Sequence, residues 1–159
     1  AASGAGVISS AFRLVQQSPT ALFWKPQVAL LVNERTLLPV LMPLAPAAEL
    51  AQRFPEHLAP VLFAHSAPHA LIEHELNAML DFQYAKTTNR SLVGMLNQFT
   101  YLVEGSRDYK QTSDLRWLSM KLSETPCSPL YKKATSPDRE LRRLIESEWT
   151  IIAANDQQY

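Results

Sequence analysis

Residues 86–91, Lys-Thr-Thr-Asn-Arg-Ser, gather side chains that can hold an anion. Lys86 and Arg90 are cationic donors, and Thr88, Asn89 and Ser91 add hydroxyl and amide groups. A clear helical pattern follows directly. The first turn of a helix leaves backbone N–H groups without partners and carries the positive end of the dipole, so a phosphate or carboxylate can bind there. The stretch is no P-loop, because the glycine-rich turn and the GK[ST] ending are missing. Asn89 or Ser91 can instead accept an early backbone N–H and simply cap the helix, and that plainer reading carries more weight.

Positioning these residues falls to the helix itself. Leu92, Met95, Leu96, Phe99 and Val103 lie at i, i+3, i+4, i+7 and i+11 and form one apolar face. Gly94 sits inside that helix, where glycine costs about 1 kcal/mol relative to alanine. Its presence predicts a second backbone packed close by.

The remaining constellations point to chemistry less directly. His65, His69 and Glu73 are spaced by four, and one helical face could present all three to a metal. Pro68 breaks that spacing, and HALIEH is one residue longer than H-x-x-E-H, so ordinary surface residues and no metal are expected. Cys127, the one cysteine, lies between Pro126 and Ser128; a thiolate would need a nearby base or cation, for which Lys132 and Lys133 are candidates, and an inert thiol is the expected reading. No G-x-S-x-G elbow occurs. Lys132, Lys133, Arg139, Arg142 and Arg143, with Tyr131, could touch a nucleic-acid backbone. Interspersed Asp138, Glu140 and Glu146 fit a solvated, internally paired helix better. Trp24, Trp117 and Trp149 read as core or interface anchors. No catalytic residue is assigned and nothing calls for a cofactor.

Composition bounds these readings. Fifteen basic and fifteen acidic residues cancel, so no global field draws nucleic acid or anionic lipid. Hydrophobic residues make up 47% and charged residues 19%, a globular balance. No apolar run approaches the ~18 residues of a membrane span. With a single cysteine and no recognisable leader, a cytoplasmic location is expected. Residues 1–6 read as a disordered start or expression remnant, and 7–159 as a single domain.

The expected fold is α+β. Residues 27–33 and 36–44 read as a β-hairpin, with Pro39 and Pro43 placing the second strand at an edge or ending it early. A first strand is expected within 7–17 and another at 81–86. Helices are expected at 46–54 and, after an interruption at Pro55, at 56–65. Others follow Pro68, Ser91, Asp114 and Ser136. This gives a small, mainly antiparallel sheet of three or four strands packed by four or five helices.

Two segments, LLVNERTLLPVLMPL (Leu30–Leu44) and YAKTTNRSLVGMLNQFTYLVE (Tyr84–Glu104), resemble a family of small prokaryotic domains with recurrent patterns "VN..TL.PV" and "TK..NRS.LG.MN.F". Ser123–Pro126 is similar to that family's "N.TP" helix end, with Ser123 and Glu124 as departures. The resemblance spans Trp24 to Pro126. It implies bacterial origin and carriage on mobile elements such as integron cassettes, but no activity. The leading functional expectation is a non-enzymatic interaction module acting through a protein partner or as a homo-oligomer. Binding of a small anion at Lys86–Ser91 is the alternative, and nucleic-acid binding through the basic C-terminal helix a more distant one.

Overall fold

The computed structural model describes residues 12–14, 21–22, 27–79, 90–110, 114–127 and 136–149. Val28–Asn33 (β3) and Pro39–Pro43 (β4) pair as an antiparallel hairpin with Leu30 opposite Leu41. Two short segments, Phe12–Leu14 (β1) and Ala21–Leu22 (β2), pair antiparallel with the other edge of β3. Among the described residues the helices are α1 (Leu50–Ala64), α2 (His69–Ala78), α3 (Arg90–Lys110), α4 (Leu115–Ser123) and α5 (Pro137–Leu144). A π-helical turn, Ile145–Trp149, continues α5. The α+β class is thus established; the strand expected at 81–86 lies outside the described residues.

Every residue of β3 is buried. Because side chains alternate across a strand, burial on both faces requires apolar residues at every position, as VALLV provides. One face carries Ala29, Leu31, Val40 and Met42, packed against Leu50, Phe54, Leu58 and Leu62 of α1, Leu71 and Ile72 of α2, and Leu141, Leu144 and Trp149. The other carries Val28, Leu30, Val32 and Leu41, packed against Met95, Leu96, Phe99 and Val103 of α3 and Leu118 and Leu122 of α4. The sheet is therefore a middle layer between two helical layers.

Both prolines of β4 sit where a strand can tolerate them. Leu41 donates its N–H away from β3, to Ser119 Oγ of α4 at 2.9 Å. Pro39 and Pro43 are two residues either side, so their nitrogens face the same outer edge, where no described strand needs a donor. Ser119 Oγ in turn donates a hydrogen bond to Leu115 O at 2.7 Å. Sequence placed this strand at an edge; the structure adds that α4 covers the edge.

The hairpin turn is closed from within. Asn33 Oδ1 accepts from the N–H groups of Arg35 (2.9 Å) and Thr36 (3.0 Å). Thr36 Oγ1 accepts from Leu38 N at 3.1 Å. Leu37 takes the left-handed conformation at φ 60° while its side chain joins the face toward α3 and α4. A branched residue there is strained, and burial of the side chain offsets the cost.

The break expected at Pro55 is corrected: α1 runs unbroken through Pro55 and Pro60. Each interior proline costs a hydrogen bond and about 3 kcal/mol. Only a continuous helix lays Leu50, Phe54, Leu58, Val61 and Leu62 along one buried stripe, and that burial outweighs the penalty. Arg53 braces the start, donating to the carbonyls of Pro43 (3.2 Å), Leu44 (3.0 Å) and Pro46 (3.1 Å).

Ser119→Ala leaves the Leu41 N–H buried without an acceptor. A loss of about 1–3 kcal/mol is expected in urea denaturation, with no change in helix content by circular dichroism.

Candidate functional site

Helix α3 begins at Arg90, which is exposed. Among the described residues Arg90 has no ion-pair partner, and the first turn of the helix holds no acidic residue. Ser91 is the second residue of the helix, and Lys86, Thr88 and Asn89 lie outside the described residues. Arg90 and Ser91 are thus at the helix N-terminus, as the anion reading requires. The rest of that constellation falls outside the described residues.

The two faces of α3 differ sharply. Met95, Leu96, Phe99 and Val103 are buried against the sheet, as their spacing predicts. Gly94, Asn97, Gln98, Tyr101 and Gly105 are exposed, Tyr101 at 78%. A Cβ built on Gly94 or Gly105 would meet nothing within 4 Å. Among the described residues no backbone packs against Gly94, and that expectation is corrected to this extent. The spacing already carried the reason: at about 100° per residue, Gly94 lies on the side away from Phe99 and Val103. The same arithmetic places Tyr101, two residues beyond Phe99, on the outer face. Sequence reasoning missed Tyr101 and Gly105 because it followed only the apolar stripe.

The histidines do not converge. His65 caps the C-terminus of α1, whereas His69 opens α2 after Pro68. Ser66, at φ 61°, turns the chain between them. His69 Nε2 pairs with Glu73 Oε1 at 3.1 Å on the exposed surface. His65 Nε2 is buried without a hydrogen-bond partner. Burial is the main cause that lowers the His65 pKa from 6.5; Arg142 acts the same way, while Asp138 and Glu124 oppose it. Neutral His65 is thus the form the fold favours. Among the described residues no group of three or more His, Cys, Asp or Glu is placed to hold a metal.

Cys127 is fully buried, with its Sγ 3.3 Å from Thr125 O. Burial pushes its pKa up to about 11, so it stays a thiol at neutral pH and is a poor nucleophile.

The basic C-terminal group is divided. Lys132 and Lys133 lie outside the described residues. Arg143 donates Nε to Glu140 Oε2 at 3.0 Å, and Glu140 is nearly inaccessible to water. Arg139 and Arg142 are exposed on α5. Arg143 on this helix is therefore engaged by an internal carboxylate, as the interspersed acidic residues suggested. Arg35 of the hairpin turn reaches Glu148 with both guanidinium nitrogens, tying the turn to the end of the described chain.

Known proteins can now be set beside this geometry. The chain matches, over residues 19–140, the family described as domain of unknown function DUF6933. It belongs to that family. The match encloses both segments of the sequence resemblance and extends beyond them on each side. No curated protein and no solved structure matches the chain. Among the described residues no helix is long and apolar enough to cross a membrane.

For this DUF6933 domain the open space around the two glycines makes a direct prediction. Gly94→Ala and Gly105→Ala are each expected to stabilise the isolated chain by about 0.5–1 kcal/mol, measured by thermal or urea unfolding. A loss of stability in either would reveal an internal contact at that position.

Proposed function

We propose that this domain is an interaction module, with the outer face of α3 as the surface that takes a protein partner or a second copy of the chain. The observation that carries this reading is the pair of helix-interior glycines flanking an exposed tyrosine. Each glycine lowers the stability of α3, and among the described residues nothing lies within 4 Å of a Cβ at either position. A helix that lacks side chains at two outward positions lets another backbone come close. Tyrosine supplies a large, stiff contact area at low entropic cost and is enriched where partners bind. Arg90, Gly94 and Asn97 also belong to the second pattern of the sequence resemblance, yet all three face solvent.

A photo-crosslinking amino acid at position 101, compared with the same residue at exposed Gln52 on α1, tests this in the purified chain and in cell extract. Adducts of defined mass from position 101 and none from position 52 are expected. Equal adducts from both sites, or none from 101, would remove the reading.

Arg90 favours a second reading, recognition of a small anion at the start of α3. A cation at a helix N-terminus is unfavourable by about 0.3–1 kcal/mol, and a bound phosphate or carboxylate would reverse that. Inorganic phosphate is then expected to raise the melting temperature of the native chain and to lose that effect in Arg90→Ala. Identical shifts in both proteins would exclude Arg90 as a ligand.

A further inference from the structure

We propose that α5 and its π-helical turn form an acid-released clasp, whose docking on α1 and α2 loosens when His65 takes up a proton. His65 closes the C-terminus of α1. Its charged neighbours there are Glu124, at the C-cap of α4, and Asp138 and Arg142 on α5. Nε2 of the ring is out of water and has no hydrogen-bond partner. A neutral ring tolerates this by carrying its proton on Nδ1 and leaving Nε2 a bare acceptor. A protonated ring must donate from both nitrogens, and a buried N–H without an acceptor is costly.

The neighbouring carboxylates are already engaged. Asp138 Oδ1 accepts from Ser136 Oγ and from Arg139 N, the latter at 2.8 Å, at the start of α5. Glu124 Oε2 pairs with Lys121 Nζ at 3.6 Å. Arg142 repels a second cation. Drawing Asp138 to the ring would take it from Ser136 and from the first turn of α5, so that response also weakens the start of the helix.

The element under this strain is small. α5 has 8 residues and the π-helical turn 5, and they dock through Leu141, Leu144 and Trp149 against Leu58, Leu62, Leu71 and Ile72. Arg35 holds the far end through Glu148. His74 of α2 meets Trp149 edge-on at 5.5 Å, and its Nδ1 is likewise buried without a hydrogen bond. Glu75 Oε1, however, lies 3.9 Å from that nitrogen. A charge on His74 has a carboxylate beside it, so His65 is the acid-sensitive contact and His74 the control.

Burial, aided by Arg142, holds the His65 pKa below 6.5 against the pull of Asp138 and Glu124. The released ring therefore takes its proton as pH falls through 6.5, before the docked ring does. Docking is complete above that pH and weakens below it.

Hydrogen exchange of the full chain from about pH 7.5 to about pH 5.5, corrected for the intrinsic rate, tests the clasp. Protection of residues 137–149 is expected to fall toward acid while Val28–Asn33 keeps its own. That fall is expected to vanish in His65→Gln, to shrink in Arg142→Gln and to remain in His74→Gln. Constant protection of 137–149 across the range, an equal fall in β3, or an undiminished fall in His65→Gln overturns the clasp. So does a fall that vanishes in His74→Gln. Arg142 is exposed, so its replacement reads the same linkage without disturbing the packing. Should His65→Gln not fold, an undiminished fall in Arg142→Gln overturns the proposal in its place.

Discussion

A hairpin whose paired strands are buried at all but one position is the constraint on which this structure depends. β3 is buried at all six of its positions, and β4 at Pro39–Met42. A pleated ribbon this narrow cannot shield itself, so each face demands its own helical layer. The edge demands a cover as well. Pro39 and Pro43 remove two outward N–H groups, and Ser119 binds the third, that of Leu41. The layer order follows from that accounting: α1, α2 and α5 meet the face of Ala29 and Leu31, α3 and α4 meet the face of Val28 and Leu30.

The "VN..TL.PV" pattern becomes intelligible in these terms. Val32 fills the core and Asn33 closes the turn through two backbone donors. Thr36 binds the N–H of Leu38, Leu37 reaches the core from a left-handed backbone, and Pro39 silences the edge. Each of these residues has an internal task in the scaffold. The second pattern behaves differently. Phe99 is core, whereas Arg90, Gly94 and Asn97 are exposed, and a Cβ on Gly94 would meet nothing within 4 Å among the described residues.

What the sequence revealed tracks how local the deciding interaction is. The hairpin, the edge position of β4, the buried face of α3 and the cap of α4, where Asp114 accepts from Trp117 N at 3.1 Å, all rest on periodicity or on neighbours within a few residues. The continuity of α1 was hidden, because it depends on a balance between two prolines and a stripe of five buried residues that only tertiary packing supplies. Ser119 was hidden for the same reason: its acceptor role for Leu41 spans 78 residues of sequence. Arg90 was legible as a helix-start residue, but its lack of a described ionic partner could be seen only in three dimensions. Tyr101 was legible in principle, since an aromatic two residues from Phe99 on a helix must face away from it.

Helix α3 therefore holds two unequal faces whose energetics point in opposite directions. Its inner face buries Met95, Leu96, Phe99 and Val103, and fixes the helix on the sheet. Its outer face lowers the stability of the monomer twice, at Gly94 and Gly105, and exposes Tyr101 to water. A helix selected only for folding would carry alanine or a charged residue at those positions. The inner face makes the outer one affordable, because a helix anchored by four buried side chains tolerates two glycines that an isolated helix would not. Any partner on the outer face then meets a surface already held rigid, and little conformational entropy remains to be lost when the two backbones come together.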